Sequence, residues 1–552
     1  LSTTSWHFFC PRCLGTQQLI IIGHDTLRER PVLMIIKFIP LLLVAVFIFF
    51  STPWGLGLLP DSISYATASR GLAEHGDIMG LPSHWPPLYA VLLAVFYILM
   101  GDPVLGSRLL HALLFALNSV LLVLLFRDLE KKSILFSIFP LLIVLQPAFV
   151  AVHLYLWSEP MFMVLALTNL LILKQMADKN VVSLKYFLFL ALIAGLAIMT
   201  RYVGLFLVLV NTVAILLIVR LPDSRFSKSW ALFSGKWRLP DGISGDVVRR
   251  IWLASMVAVL SLIPMASWTI FNVLRGSKAA YRNIVWHPPG QQHMAQASTT
   301  LADWFHVPRD FGWLVILLLV IGVIWACSHG IQALRTGDFK TRALVPLAGL
   351  FIGMYISFLL ASISLADYQT PLDGRIMVPI FPVIMVLIAH FISIVPGKRV
   401  SLLLLAVIMP LLALNVSRSF ELMVMSKKNG MGFANRNIQE MQIIGAVRKL
   451  PSKWNVVTNG PEIFSLYLPQ DSTMLPRKVH PGTKLDNQHY TAQMESMLKT
   501  ADALVYFTRM KYRYYLPDSS ELNGQAGFHL VYSQTDGAIW VRDENIRVHE
   551  NE

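Results

Sequence analysis

Pro87-Leu88-Tyr89-Ala90-Val91-Leu92-Leu93-Ala94-Val95-Phe96-Tyr97-Ile98-Leu99-Met100-Gly101 is the stretch that decides how this chain threads a membrane. It is apolar throughout, but its length lies at the low edge for a helix crossing a hydrocarbon layer of roughly 30 Å. Charge decides between crossing and not crossing. If 87–101 does not cross, Arg127, Lys131, Lys132, Lys174, Lys179, Lys185, the basic 220–250 loop, Arg335, Lys340, Arg342, Lys398 and Arg399 share one side. The other side then holds only Arg70, Arg201, Arg275, Lys278, Arg282, Arg309 and Arg375 before the tail. If it does cross, that asymmetry reverses after the first span, against the tendency of basic loops to stay cytoplasmic. The stretch therefore reads as a re-entrant or surface-lying helix.

The surrounding chain supports a polytopic membrane protein. Its 552 residues are 55% hydrophobic and 14% charged, with a mean hydropathy of +0.58. Apolar runs fall near 36–58, 104–126, 134–152, 157–174, 186–200, 203–220, 251–273, 312–333, 343–362, 376–396 and 400–417, about eleven spans. A net charge of +14 would suggest nucleic acid in a soluble protein. Here most Lys and Arg occupy short loops between spans, so the basicity reads as topology and no nucleic-acid partner is expected. Cys10 and Cys13 form a Cys-x-x-Cys without a second ligand pair at metal spacing, so they predict neither zinc nor a disulfide framework.

Residues 1–33 read as an extension without a fold of its own, and 34–417 as the membrane domain with a first outer loop at 60–103. The amino terminus is then cytoplasmic, and the 274–311 loop, the 363–375 loop and the tail face outward. From about 418 the composition shifts to short β-rich segments bounded by Gly, Asn, Asp and Pro, around 454–459, 501–507, 528–532 and 538–541. Helical patterns lie near 436–450 and 490–500. The region 418–552 is expected to form a small α/β domain on the outer face.

Candidate chemistry gathers on that face. Asp61 follows the first span, where a carboxylate can take a proton from an attacking acceptor or cap the helix beginning at Ser62; spacing does not choose. Asp77 and Glu74 are further acids of the same loop, with a solvated role as the alternative. His75 and His84 can meet a phosphate or sit at the interface, and Tyr65, Trp85 and Tyr89 are placed to line a donor or acceptor pocket. Arg201 lies between two apolar runs, where a buried guanidinium costs about 2.5 to 3.5 kcal/mol unless it snorkels or meets an anion. Arg375 opens the tenth span and can bind a phosphate or pair with Asp373. Glu159, ahead of Pro160, is a secondary acid or a residue suited to a helix amino terminus. Together these groups suit a lipid-tailed substrate with a phosphate head.

The run Asp61-Ser62-Ile63-Ser64-Tyr65, with Ala68, Leu72, Gly76-Asp77, Pro86-Pro87-Leu88-Tyr89, Gly101, Arg108, Ser158-Glu159-Pro160, Gly195-Leu196-Ala197 to Arg201, and Arg375 to Pro382, resembles the GT-C superfamily of membrane glycosyltransferases. The similar branch is that of the protein O-mannosyltransferases and the lipid A aminoarabinose transferase. The resemblance covers roughly residues 36–417. It implies an all-α polytopic domain of eleven to thirteen spans, Asp61 as the catalytic acid of the first loop, a helix pair in that loop and a polyprenyl-phosphate sugar donor. Lipid, glycan or protein acceptors fit such an enzyme. Two departures matter: the mannosyltransferases carry Asp-Glu where this chain has Asp61-Ser62, and the aminoarabinose enzyme has a lysine near the position of His84-Trp85. The related oligosaccharyltransferases hold a divalent ion with Asp-x-Asp, a pattern this loop lacks, so a metal-independent reaction without cofactors is expected. A prokaryotic inner membrane is the expected location. The rival readings are a lipid-linked glycan transporter or flippase and an O-antigen ligase-like protein.

Overall fold

The computed structural model describes residues 31–83, 85–130, 133–178, 183–219, 245–276, 286, 288–336, 343–366, 368, 370–394, 398–479 and 486–545. His84 and residues 1–30 of the expected extension lie outside them.

The described chain is mostly helical: α1 Pro31–Phe50, α2 Pro60–His75, α3 Leu88–Met100, α4 Pro103–Glu130, α5 Ile138–Val144, α6 Pro147–Leu154, α7 Glu159–Asp178, α8 Leu184–Thr200, α9 Leu205–Leu217, α10 Gly245–Leu274, α11 Gln291–Trp304, α12 Gly312–Thr336, α13 Leu344–Leu365, α14 Gly374–Met377, α15 Phe381–Ile394 and α16 Lys398–Asn429. Among the described residues seven helices are long and apolar enough to cross a membrane, or eight if the pair α5–α6, bent by 43°, is one span. The chain is an integral membrane protein. The expected count of eleven is not reached on length alone, because the apolar helices Leu184–Thr200 and Tyr202–Leu217 are shorter. Helices α8 and α9 are short because Arg201 breaks them apart in an extended conformation. The turn closes so tightly that a Cβ at Gly204 would stand 2.6 Å from the Ala197 carbonyl carbon.

The deciding stretch forms α3, a helix of 13 residues that spans about 20 Å and so falls short of the hydrocarbon thickness. Gly101, at φ +67°, ends it in the left-handed region that glycine adopts without strain, and the chain doubles back into α4. Gly106 lets the two helices touch: a Cβ there would meet the Phe96 carbonyl oxygen at 2.7 Å. Tyr89, Ala90, Leu93 and Ala94 bury one face of α3, while Ile98 and Leu99 stay exposed. With Tyr65 and Ala68 of α2, Leu110 and Leu114 of α4 and Trp268 of α10, that face builds one apolar cluster. Arg108 ties α4 to the end of α1, donating to the Phe49 carbonyl at 2.9 Å with its guanidinium 4.4 Å over the Phe49 ring.

Helix α16 runs on to Asn429, past the composition change at 418. Beyond it lies a five-stranded sheet of order β2-β1-β3-β5-β4, from Val456–Thr458 (β1), Ser472–Met474 (β2), Ala503–Phe507 (β3), Phe528–Gln534 (β4) and Gly537–Arg542 (β5). The β1–β2 and β1–β3 pairs are parallel, whereas β5 is antiparallel to both β3 and β4. This sheet domain rests on α2: Ile63 shares an apolar cluster with Phe433, Ile443, Phe464 and Phe507.

Candidate active site

Asp61 stands in the first turn of α2, but it does not cap it. Leu59 is the N-cap, Pro60 is the first helical residue, and the Asp61 carboxylate turns away to meet Arg375, Oδ2 to Nη2 at 3.0 Å. Arg375 belongs to α14, a single turn whose amides from Arg375 and Ile376 donate to the Asp373 carboxylate at 3.1 and 3.0 Å. Asp373 thus fixes the backbone and leaves the guanidinium to other partners, which corrects the expected local pair.

Those partners converge on Glu159. Its Oε1 lies 2.6 Å from Arg375 Nε and 2.6 Å from Arg201 Nη1, although Glu159 opens α7, Arg201 ends α8 and Arg375 precedes α15. Glu159 is only 1% exposed, against 20% for Arg201, 18% for Arg375 and 32% for Asp61. Arg201 Nη1 also donates to Ser158 Oγ at 3.2 Å, and the Arg375 guanidinium lies 4.5 Å over the Trp157 ring. A buried carboxylate is tolerated only where it is paired, and here two arginines share one of its oxygens. Among the described residues its other oxygen, Oε2, has no hydrogen-bond partner, and the contacts of Arg201 with Glu159 and Ser158 both use Nη1. An arginine carries five N–H donors in a planar fork, so this one keeps hydrogen-bonding capacity beyond the pair it makes.

Tyr65 closes one wall. Its hydroxyl lies beside Ser158 in the field of Arg201, Glu159 and Asp61, and burial pushes its phenol up to about 12. It meets Tyr89 edge-on at 5.0 Å and Trp85 at 6.2 Å. Tyr89 is fully buried, its hydroxyl 2.7 Å from His111 Nε2. The wider first loop stays outside the ion cluster. Asp77 is exposed and accepts from the Gly80 amide at 2.9 Å, and Glu74 takes the Tyr97 hydroxyl at 2.6 Å.

Three contributors were given no role of their own in the sequence. Ser158 enters there only within the run Ser158-Glu159-Pro160 that carries the resemblance, and Trp157 is assigned nothing. Helix α11, within the 274–311 loop, holds the chain just before Arg375: Thr300 Oγ1 donates to the Leu372 carbonyl at 3.1 Å, and the Leu372 amide donates to Gln296 Oε1 at 3.2 Å. Among the described residues no group of three or more His, Cys, Asp or Glu side chains is arranged to hold a metal ion.

Residues 84–236, from α3 through α9, match the family of dolichyl-phosphate-mannose-protein mannosyltransferases. That range includes Tyr89, Glu159 and Arg201 but neither Asp61 nor Arg375. Among solved structures the chain is similar to ArnT from Cupriavidus metallidurans bound to undecaprenyl phosphate, at 15% identity, 93% of this chain, 98% of that one and a TM-score of 0.53. The apo ArnT structure gives 13% identity, 92% and 98% coverage and a TM-score of 0.57. The archaeal oligosaccharyltransferase AglB from Archaeoglobus fulgidus, in complex with an inhibitory peptide and a dolichol-phosphate, gives 12% identity, 92% and 74% coverage and a TM-score of 0.50. No curated protein sequence matches the chain. The chain has the fold of the GT-C membrane glycosyltransferases and resembles the branch that holds ArnT and the protein mannosyltransferases.

Proposed function

We propose that the protein is an inverting membrane glycosyltransferase that moves a sugar from a polyprenyl-phosphate donor to an acceptor on the extracytoplasmic face, with Asp61 as general base. The observation that carries this reading is the convergence of Asp61, Arg375, Glu159 and Arg201 at the ends of four separate segments. The ArnT and AglB structures with bound lipid phosphates lend support to a donor of this class.

In the proposed step Asp61 accepts the proton of an acceptor hydroxyl as its oxygen attacks the anomeric carbon. The bond from that carbon to the phosphate oxygen breaks on the opposite face, the configuration inverts, and the lipid phosphate leaves with one more negative charge. Arg201 and Arg375 balance that charge, which is where fixed cations lower a barrier. Glu159 holds the two guanidinium groups together, and Tyr65, Trp85 and Tyr89 shape the adjoining wall. His84, at the edge of the same loop, is a further candidate for the phosphate. The acceptor is a lipid, glycan or protein, and membrane lipids surround the bundle. The reading needs no metal ion: Asp61 is followed by Ser62 and Ile63 rather than a second acid, and guanidinium groups supply the positive charge. It places the protein in a prokaryotic inner membrane with a cytoplasmic amino terminus.

The test is transfer from radiolabelled undecaprenyl-phosphate sugars by the purified protein and by Asp61→Asn. Wild-type transfer that falls by orders of magnitude in the variant supports the reading. Transfer within twofold of wild type in Asp61→Asn overturns it.

A further inference from the structure

The segment leading into α2 is the middle of a three-stranded backbone strap. On one side the Gly57 amide donates to the Leu154 carbonyl at 2.8 Å and the Leu156 amide donates to the Gly57 carbonyl at 2.9 Å. On the other side the Leu58 amide donates to the Met431 carbonyl at 3.3 Å and the Phe433 amide donates to the Leu58 carbonyl at 2.9 Å. One flank therefore leads directly into Trp157-Ser158-Glu159, the centre leads into Asp61, and the other flank is the junction between α16 and the sheet domain.

Two glycines permit this approach. A Cβ at Gly57 would stand 2.6 Å from the Tyr155 ring and 2.9 Å from Met431 Cβ. Gly432 has φ +56°, and a Cβ there would stand 2.1 Å from the Leu58 carbonyl oxygen. The Tyr155 ring in turn stacks on Trp157, centroids 4.4 Å apart and planes within 10°, and Trp157 carries the Arg375 guanidinium. The far flank is anchored by the Tyr467 hydroxyl, which donates to the Phe433 carbonyl at 2.7 Å from the helix Pro461–Tyr467; that helix also rests on α2.

We propose that this strap is a positioning device by which the sheet domain sets Asp61 against Arg375, with Gly57, Gly432 and Tyr467 as positioning residues. The inference rests on the function proposed above, which gives the Asp61–Arg375 contact its importance, yet the geometry can be tested without it. A shift of the Met431–Phe433 flank moves Leu58, and with it the first turn of α2. A shift of Tyr155 moves the aromatic floor under Arg375.

The test takes the full chain in detergent or nanodiscs. A cryo-electron microscopy map of Gly432→Ala is expected to show the Asp61–Arg375 contact opened beyond about 3.5 Å, outside hydrogen-bond reach. A contact kept at the wild-type distance overturns the proposal, whether or not the wild type transfers sugar. Tyr467→Phe removes only the hydroxyl bonded to the Phe433 carbonyl and serves if Gly432→Ala does not yield folded protein. With undecaprenyl-phosphate mannose and related sugar donors it is expected to lower kcat about threefold to tenfold with KM for the donor unchanged. An unchanged kcat, or a change confined to KM, counts against the strap. A wild type inactive on every donor would instead count against the proposed function.

Discussion

Two arginine–carboxylate clusters in this molecule differ in a way that separates support from function. In the sheet domain Arg513 meets Glu462 through two bonds, at 2.6 and 3.0 Å, and a third goes to the Asn459 carbonyl at 2.8 Å. Both glutamate oxygens are engaged, and only Arg513 Nε lacks a partner among the described residues. The pair is closed; it fastens the helix Pro461–Tyr467 to the loop after β3. In the membrane domain Glu159 offers both arginines the same oxygen, leaves the other without a partner, and Arg201 engages through one nitrogen. A closed pair spends its hydrogen-bonding capacity on the fold, whereas on the function proposed above the open cluster keeps arginine donors for the lipid phosphate.

The largest effect should come from Asp61→Asn. Asn keeps the shape but cannot take the proton, so turnover is expected to fall by about 10² to 10⁴ in a radiolabel transfer assay while donor affinity stays near wild type. Arg201→Ala should come next: loss of a charge-assisted donor to phosphate is expected to weaken undecaprenyl phosphate binding about tenfold to a hundredfold, read by titration. The closed pair should respond in the opposite currency. Glu462→Gln is expected to lower unfolding stability by about 3 to 5 kcal/mol, because it leaves a buried guanidinium uncompensated, while undecaprenyl phosphate affinity of the folded protein stays unchanged. Stability loss in Arg201→Ala as large as in Glu462→Gln would erase the distinction. The smallest effect should be that of a chelator: transfer is expected to persist in excess EDTA, and activity lost there and restored by manganese or magnesium would contradict the metal-independent step. Tyr65 should add no titration below a pH of about 12, where its buried phenol stays protonated.

The individual members of the open cluster were legible in the sequence because a charge at the end of an apolar run stands out against lipid. Asp61, Glu159, Arg201 and Arg375 are all of that kind. Their meeting was not legible, since pairing across helix ends depends on how the spans are arranged, and each residue had an acceptable solitary role. Asp373 was a plausible mate for Arg375 by proximity, yet its oxygen serves two amides of a turn, a choice no spacing reveals. Helix α11 was hidden because its apolar stripe, Ala297, Leu301 and Trp304, is short and set among polar residues from Gln291 to Thr300. Strand β2 was hidden by its brevity, three residues at a half-exposed sheet edge. Strands β1, β3, β4 and β5 announced themselves through β-branched and aromatic runs between turn residues. The span count was the reverse case: apolar runs were visible, but Arg201 and the α5–α6 bend cut the helices shorter than the runs.

The most direct test of the central claim is a cryo-electron microscopy map of the full chain with undecaprenyl phosphate. Phosphate density is expected within hydrogen-bonding distance of Arg201 and Arg375, with Asp61 facing the side from which an acceptor would approach. Phosphate density in a pocket that touches neither arginine, with both still held by Glu159, would contradict it.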